Sequence, residues 1–467
     1  MREGVDTSSY IIQEGDGDKA KHKVIPAQLA QYIRQHLEYI FVRSNPTAAT
    51  LIYVYQNGVY RHVSVEEFKG EIKEYIPERL QKPRDINDAY SLLTTDAEKY
   101  VHPNRLNEDE NLINFQNGIL YLDEMRLAPH TSLTLSTIQI PCNWIQDAIS
   151  IDDSVFDSYL DQLTDGDLDT KKLILEYMGA VLSNIPGHRA KKALLLIGPG
   201  NSGKSQLRNL LIELIGQENS SSCSLDDLEK QFGASTLYGK RLGGDGDLGF
   251  VKVNELRIFK QLTGGDSIKC EFKGHGAFPY VYKGWMLFCA NARPLFGGDK
   301  GDHVYQRFMI IPCNNVIPDN QIDPQILDKM RTEREYIVQQ AVRALKRFID
   351  RGCKFIEPQC VKQEREDYEI ENDNVLLFIQ ECTEQQEPCE TYGRTRTADM
   401  YNAYAQWCKG NGLRPENSRI FRKTLKDKKR ASTVKNCGYE FYANIRLTAE
   451  AHNDLYSTRQ GGQHVRS

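Results

Sequence analysis

The residue types best suited to chemistry lie in one short segment, GPGNSGKS, which joins the apolar run Ala193–Ile197 to a leucine-rich segment with helical spacing. The pattern Gly-x-x-x-x-Gly-Lys-Ser between a strand and a helix is typical of a phosphate-binding P-loop. Its glycines let backbone N–H groups surround a β-phosphate, and the helix contributes the positive end of its dipole. The alternative is a glycine-rich turn before a helix. The predicted nucleotide-binding residues are Gly198, Pro199, Gly200, Asn201, Ser202, Gly203, Lys204 and Ser205.

An acidic loop follows the P-loop after about forty residues, where the segment GGDGDLG ends a predicted strand and carries Asp245 and Asp247. Phosphoryl hydrolysis needs one carboxylate in the Mg²⁺ shell and another that polarises the attacking water. We therefore expect Lys204 to contact the β- and γ-phosphates, and Ser205, Asp245 and Asp247 to hold Mg²⁺. We prefer Asp247 to Asp245 as the catalytic acid, but the sequence does not decide between them. The alternative is an acidic glycine loop on the surface.

Two further polar residues adjoin apolar runs that read as strands. Asn291 follows Trp285–Ala290, and in α/β sheets the carboxyl ends of strands hold the ligands. An amide there can orient a water molecule against the γ-phosphate, or it can simply cap a turn. Arg307 precedes Phe308–Ile311 and can stabilise transition-state charge in a neighbouring subunit, or it can form a salt bridge at a strand end. The predicted catalytic residues are Lys204, Asp247, Asn291 and Arg307.

A hairpin with a basic tip is predicted between these two runs. Apolar residues alternate with polar ones before and after the segment Lys273-Gly-His275-Gly, at Ile268, Cys270 and Phe272 and again at Phe278, Tyr280 and Tyr282. A lysine at such a tip gives phosphate contacts that do not depend on base sequence. The alternative is an exposed turn with incidental charges.

The C-terminal region is a basic module. Residues 391–447 contain 13 Lys and Arg against 4 Asp and Glu, whereas the whole chain has a formal charge of −5. The pattern predicts a helix, a Gly-Asn-Gly turn, a second helix capped at Asn417 or Ser418, and a β-hairpin, which together fit a winged helix. The alternative is a basic face on a protein–protein module. In the second helix we expect Ile420, Phe421 and Leu425 to face inward and the DNA-binding residues Arg419, Arg422, Lys423 and Lys426 to face outward.

Length and composition limit the class of protein. The 467 residues suggest about three domains, and 40% apolar with 26% charged residues is ordinary for a soluble globular chain. The longest apolar runs are far shorter than the ~20 residues that span a bilayer, and the first twenty residues lack an apolar signal segment. The eleven cysteines form no Cys-x-x-Cys pair, so we expect reduced thiols rather than a zinc ribbon. These features predict a cytoplasmic protein.

The domain organisation follows from changes in pattern along the chain. We predict a small α+β domain over residues 1–110, with a hairpin at Gln-Asn-Gly. A helical domain over 111–185 and a P-loop motor over 186–352 follow. An acidic, solvated linker over 353–375 then leads to the winged helix over 376–467. The position of the first domain suggests a collar for hexamer assembly.

Four blocks of the motor resemble superfamily III helicases, and among them the phage and plasmid primase-helicase family. These blocks are the P-loop, the acidic block around Asp247, FKQLTGGDSIKCEFKGHGAFPY, and GWMLFCANARPLF followed by YQRFMIIP. The resemblance implies an AAA+-like α/β fold, ATP and Mg²⁺ as cofactors, a homo-hexameric ring, and a hairpin whose Lys273 and His275 contact DNA in the central channel. It also implies a place in the cytosol of a bacterial host, with host replication proteins as partners.

The sequence departs from this family at two positions. Asp247 stands where relatives usually have Glu, which places the carboxylate about one methylene farther from the water. Gln306 precedes Arg307 where many relatives have two consecutive arginines, so Arg307 is the one candidate arginine finger in that block.

These features predict an ATP-dependent replicative DNA helicase that also recognises a replication origin. The first alternative is an ATP-dependent initiator or helicase loader that binds and melts origin DNA without translocating, and Lys273 distinguishes the two because only the helicase needs it for movement. The second is a DNA-binding regulator with a vestigial P-loop, which the intact Lys204, Ser205 and Asp247 disfavour. Because the 110 N-terminal residues are short for a polymerase fold and have no Cys/His cluster, we expect no primer synthesis.

Overall fold

The computed structural model describes residues 5–14, 21–45, 48–249, 252–253, 256–273, 276–296, 302–385, 394–429 and 431–453. The chain divides into two compact units, Met1–Pro294 with Gln306–Lys362, and Leu295–Tyr305 with Gln363–Ser467. No helix among the described residues is both long and apolar enough to cross a bilayer.

The N-terminal part of the first unit packs three helices on a small sheet. Its elements are β1 (Ile11–Glu14), β2 (Lys21–Val24), α1 (Pro26–His36), β3 (Tyr39–Val42), β4 (Leu51–Gln56), β5 (Val59–Val63), α2 (Val65–Lys73), α3 (Pro83–Thr94) and β6 (Tyr100–Val101). Strands β1 and β2 pair with each other, and the other four lie in the order β5-β4-β3-β6. The hairpin predicted at Gln-Asn-Gly is present, and Asn57 and Gly58 both have positive φ, as a tight primed turn requires.

The next segment differs from the helical domain predicted over 111–185. Its elements are β7 (Leu112–Phe115), β8 (Gly118–Tyr121), β9 (Arg126–Ala128), α4 (Val155–Leu163) and α5 (Leu168–Leu182). The first three form an antiparallel sheet, so the prediction is wrong for this part. All four residues of β7 are buried, so the strand lacks the alternation of apolar and polar residues that marks a strand in sequence.

A parallel five-stranded sheet carries the P-loop, as the α/β prediction requires. Between residues 193 and 312 the chain forms β10 (Ala193–Ile197), α6 (Lys204–Ile215), β11 (Ser220–Ser222), α7 (Leu225–Glu229), β12 (Leu242–Gly244), β13 (Lys252–Val253), α8 (Arg257–Gly264), β14 (Ile268–Cys270), β15 (Phe278–Tyr280), β16 (Trp285–Ala290), β17 (Leu295–Phe296), α9 (Asp302–Tyr305) and β18 (Phe308–Pro312). Of these, β17 and α9 belong to the second unit. The order of the sheet is β11-β12-β16-β10-β18. Strand β16 therefore lies between the strand before the P-loop and the strand before the acidic loop.

Two helices follow this sheet in the chain, α10 (Ile326–Thr332) and α11 (Arg334–Asp350). Glu333 lies between them, and its carboxylate accepts hydrogen bonds from the N–H groups of Val155 and Phe156 at the start of α4. Helix α11 packs closely on α5, where a Cβ at Gly179 would lie 2.2 Å from the carbonyl oxygen of Ala341. The Tyr177 hydroxyl of α5 donates to the carbonyl oxygen of Met286, so this helix pair is joined to β16.

The remaining elements are α12 (Gln359–Asn372), α13 (Asn374–Cys382), β19 (Thr383–Gln385), α14 (Thr397–Gly410), α15 (Ser418–Lys429), β20 (Thr433–Asn436), β21 (Tyr439–Tyr442) and β22 (Ile445–Leu447). The acidic segment predicted as a solvated linker forms α12 instead. Val361 and Tyr368, seven residues apart, are both fully buried, and Glu369 forms an ion pair with Lys428. Glu and Lys are good helix formers, so a high charge did not exclude a helix.

The basic module has the predicted order of helix, turn, helix and hairpin. The side chain of Asn417 caps α15 by accepting from the N–H groups of Arg419 and Ile420. Phe421 and Leu425 are fully buried, but Ile420 is 43% exposed, so its predicted inward position is wrong. Residue 420 lies about 100° around the helix from residue 421, which takes it off the buried stripe.

Candidate nucleotide-binding site

The P-loop has the backbone conformation that its glycines allow. Asn201 and Gly203 have positive φ values of 59° and 86°, and α6 begins directly afterwards at Lys204. A Cβ at Gly198 would lie 2.0 Å from the carbonyl oxygen of Cys313, so no larger residue fits where β10 enters the loop. The hydroxyl of Tyr159, on α4, donates to the carbonyl oxygen of Gly203 at 2.9 Å and fixes the loop from the outside.

Lys204 lies inside the loop. Its Nζ donates to the carbonyl oxygens of Gly198 (2.8 Å) and Pro199 (2.6 Å) and to the hydroxyl of Ser202 (3.0 Å). Burial lowers the pKa of Lys204, and the attraction of Asp247 opposes this change. These oxygen atoms occupy the positions around the ammonium that phosphate oxygens would take, so a bound phosphate would replace neutral partners with charged ones.

The acidic loop reaches the start of α6 through backbone and side-chain contacts. The Ser205 hydroxyl donates to the carbonyl oxygen of Gly246 at 3.0 Å. The carboxylate of Asp245 accepts from the N–H of Asp247 at 3.2 Å. Beyond the end of β16, Asn291 Nδ2 lies 3.5 Å from Asp247 Oδ1. The fold thus brings Ser205, Asp245, Asp247 and Asn291 together at the same end of the sheet as Lys204.

The donor atoms at this end fit Mg²⁺ bound to a nucleotide. Ser205 and Asp247 are exposed and Asp245 is partly exposed, so all three oxygen side chains are accessible. Mg²⁺ prefers oxygen ligands and is usually held by one or two carboxylates together with substrate phosphates and water. Among the described residues, no group of three or more His, Cys, Asp or Glu side chains forms a metal site of the protein's own.

Two buried thiols lie beside the loop. Burial raises the pKa of Cys289 and of Cys313 to about 12, so both remain neutral thiols near pH 7. They add no negative charge where phosphates would bind.

Sequence reasoning missed Arg208, which lies one helical turn after Lys204. It is 8% exposed, its Nη2 donates to the carbonyl oxygen of Gly244 at 3.1 Å, and its buried Nε has no hydrogen-bond partner among the described residues. It joins α6 to the end of β12. In the sequence, Arg208 could have been found from its spacing of four residues from Lys204, which places both side chains on one face of the helix.

Arg307 lies at the opposite end of the sheet from the P-loop. Its carbonyl oxygen accepts from the N–H of Ala193 at the start of β10, whereas the P-loop follows the end of that strand. Its Nη1 donates to the Thr263 hydroxyl at 2.8 Å. Burial lowers the pKa of Arg307, and Asp266 opposes this. The fold therefore does not bring Arg307 to the nucleotide site of its own chain.

The predicted DNA-contacting residues belong to the β14–β15 hairpin and to α15. Strands β14 and β15 form the predicted hairpin, with Cys270 opposite Phe278, and Lys273 is exposed at its turn. His275 lies outside the described residues. On α15, Arg419, Arg422, Lys423 and Lys426 are all exposed, as predicted, and Arg422 is 3.4 Å from Glu440 of β21.

Three family models match separate segments of the chain. Residues 30–165 match a family described as D5 N terminal like, and residues 370–455 match one described as Poxvirus D5 protein-like. Residues 196–307, which include most of the P-loop sheet, match a family of unknown function, DUF5906. Each model covers less than half of the chain.

Solved structures of the NrS-1 C-terminal region are also similar to this chain. Two apo structures of that region match at 13% identity over 91% of this chain and 100% and 99% of theirs, with TM-scores of 0.49 and 0.48. These values are too low to assign the fold. The family matches show that two segments of the chain resemble D5-like proteins.

Proposed function

We propose that this chain is an ATP-dependent replicative DNA helicase of a phage or mobile genetic element, which also binds a replication origin and unwinds DNA as a ring hexamer. The main support is the convergence of Lys204, Ser205, Asp247 and Asn291 at one end of a parallel sheet. The similarity of two segments to D5-like primase-helicases supports a role in replication.

Each of these residues at the P-loop end of the sheet has a position that suits one role in ATP hydrolysis. Lys204 would leave its carbonyl partners to contact the β- and γ-phosphates of ATP. Ser205, with Asp245 or Asp247, would hold Mg²⁺, which neutralises charge on the phosphates when bound. Asp247 would accept a proton from the attacking water, and Asn291, 3.5 Å from its carboxylate, would orient that water.

The location of Arg307 supports an oligomer. Because it lies at the end of the sheet opposite the P-loop, it cannot complete the nucleotide site of its own chain. A head-to-tail contact brings opposite ends of neighbouring copies together, and such a contact closes into a ring when the rotation allows. Arg307 would then stabilise transition-state charge in the next subunit.

Hydrolysis must also be transmitted to DNA. The exposed Lys273 at the β14–β15 turn would contact phosphates of one strand in the ring, independently of base sequence. The exposed basic side chains of α15, Arg419, Arg422, Lys423 and Lys426, would bind duplex DNA at an origin if the module docks as a winged helix.

Strand displacement on a forked duplex with ATP and Mg²⁺ tests the proposal. The native chain should unwind the fork, Lys204→Ala should not, and Lys346→Ala, an exposed lysine on α11, should behave as the native chain does. If the native chain hydrolyses ATP in response to DNA but does not unwind the fork, the helicase proposal is wrong and a helicase loader becomes the better explanation.

A further inference from the structure

The first unit contains a second cleft, separate from the nucleotide site. Its volume is about 790 Å³, within the range of about 300–1,000 Å³ found for ligand sites. Residues of β4 and β5 line one side, and residues around β12, β14 and β15 line the other. The lining includes no residue of the P-loop and neither Asp245, Asp247 nor Asn291. A ligand in this cleft would therefore not contact the nucleotide site.

One wall of the cleft is aromatic. Tyr238, Phe272 and Tyr280 all line it and all are partly exposed. The ring of Tyr238 lies 5.5 Å from that of Phe272 and 4.9 Å from that of Tyr280, so the three form one cluster. The Tyr280 hydroxyl accepts from the N–H of Gly239 at 3.1 Å, which fixes the orientation of its ring. Partly exposed rings of this kind are the surfaces on which unpaired bases stack.

The same cleft also carries three cationic side chains. Arg61 is exposed on β5. Lys240 donates to the carbonyl oxygen of Glu218 at 2.5 Å, and Lys283 donates to that of Asn104 at 2.9 Å. Within the described ranges, none of these three cations forms an ion pair. Since an ammonium group has three N–H donors, each lysine retains one for a phosphate oxygen.

Acidic residues do little to offset this charge. Among the described residues that line the cleft, Glu218 is the one carboxylate, against Arg61, Lys240, Arg241 and Lys283. The carboxylates of Glu108 and Glu110 act on Lys283 from nearby. Each of them has an arginine partner, however, with Glu108 2.7 Å from Arg105 and Glu110 3.0 Å from Arg189. The cleft is therefore positive overall.

We infer that this cleft binds a short segment of single-stranded DNA, with bases against Tyr238, Phe272 and Tyr280 and phosphates against Arg61, Lys240 and Lys283. A duplex does not expose base faces for stacking, whereas a single strand does. Phe272 precedes Lys273 in the chain, so a strand held at the hairpin turn reaches the aromatic wall next. The inference rests on the proposed function in that DNA is the ligand.

Equilibrium binding of a fluorescent oligo-dT to the full chain tests this inference without ATP. Arg61→Glu combined with Lys240→Glu should weaken binding about tenfold or more at moderate salt. The slope of log affinity against log salt should fall by about 0.7 for each phosphate that the variant no longer binds. Arg84→Glu, a control on α3 whose side chain is 88% exposed and outside the cleft, should change neither quantity. Unchanged basal ATP hydrolysis would show that the double variant is folded.

The outcomes separate this inference from the proposed function. If the native chain and the double variant bind oligo-dT equally, the cleft is not a DNA site, and the helicase proposal is untouched. If the native chain does not bind oligo-dT at all, the helicase proposal fails as well. Photo-crosslinking of the native chain to an oligonucleotide that carries 5-iodouracil gives a second readout that needs no variant. Cross-links at Tyr238, Phe272 or Tyr280 support the inference, and cross-links confined to α15 contradict it.

Discussion

Asn291 and Asp247 face each other across 3.5 Å, each from the loop that follows a strand of the central sheet. This distance is longer than the 2.7–3.2 Å that is usual for N–H···O hydrogen bonds, so the contact is weak. A weak contact leaves the Asp247 carboxylate able to accept a proton and the Asn291 amide able to bind water. The Asp245 carboxylate instead accepts from the N–H of Asp247, which occupies one of its oxygens. We therefore favour Asp247 over Asp245 as the carboxylate that acts as the general base.

Asp247→Asn should lower kcat for ATP hydrolysis by about 10²–10⁴ because the general base is removed. Nucleotide affinity should change little, since Lys204 and the P-loop backbone remain. Asn291→Ala should lower kcat less, because it removes only the group that orients the water. Steady-state hydrolysis together with binding of a fluorescent ATP analogue measures both effects. Asp328 is an exposed carboxylate on α10, and Asp328→Asn is the matched control, which should change neither kcat nor nucleotide affinity. Full activity in Asp247→Asn with loss of activity in Asp245→Asn would reverse the assignment.

Arg307→Ala should lower kcat by about 10³ or more if Arg307 acts as a finger on the neighbouring subunit. Mixing it with Lys204→Ala should restore activity, because a site with an intact P-loop can then face a neighbour with an intact Arg307. Random mixing predicts about a quarter of the native sites in a ring. A mixture of Lys204→Ala with Asp247→Asn should stay inactive, since both changes damage the same face of each subunit.

Recovery in the second mixture would show that Lys204 and Asp247 do not serve the same site. No recovery in the first mixture would show that Arg307 does not act between subunits. In that case its hydrogen bond to Thr263 describes its whole role.

Arg241→Met should destabilise the first unit by about 3 kcal/mol, since it leaves buried carbonyl groups without donors. Arg241 is 4% exposed and donates to the carbonyl oxygens of Val181, Ala180, Ile185 and Lys283. Two of these belong to the C-terminal end of α5, whose dipole also favours a cation. Burial lowers the pKa of Arg241 to about 10, so it remains protonated near pH 7.

Thermal unfolding measures the effect as a fall of several degrees in the midpoint. Arg189→Met is the matched control, because Arg189 pairs with Glu110 at the surface, where ion pairs contribute about 0–1 kcal/mol. Equal shifts in the two variants would mean that the buried hydrogen bonds of Arg241 add nothing.

The sequence predicted the positions of the P-loop, the acidic loop, Asn291 and the hairpin because each depends on local signals such as glycine spacing and alternation. It could not predict contacts that join distant segments. Arg241 lies only a few residues before the acidic loop, yet only the packing of α5 beside β12 shows that it caps a helix. The acidic segment of α12 looked solvated because charge dominates its composition, while its few buried residues, such as Tyr368, decide its structure. The sequence correctly predicted that Arg307 precedes a strand. Its hydrogen-bond partner, Thr263, could be identified only from the fold.

Lys273→Ala should abolish unwinding of a forked duplex while leaving basal ATP hydrolysis unchanged, since Lys273 lies at an exposed turn away from the P-loop. Binding of duplex DNA through α15 should also remain, because the basic residues of that helix are intact. Strand displacement, hydrolysis without DNA and duplex binding are measured in parallel.

The matched control for this prediction is Lys269→Ala, which removes a lysine from the same hairpin. The side chain of Lys269 is 75% exposed and lies 3.6 Å from Glu271, so a neighbouring carboxylate already offsets its charge. We expect this variant to unwind the fork at close to the native rate. If both variants unwind normally, the hairpin does not move DNA, and the strand must be driven by another surface of the motor. If both fail equally, general loss of positive charge explains the effect and the turn position of Lys273 has no special role.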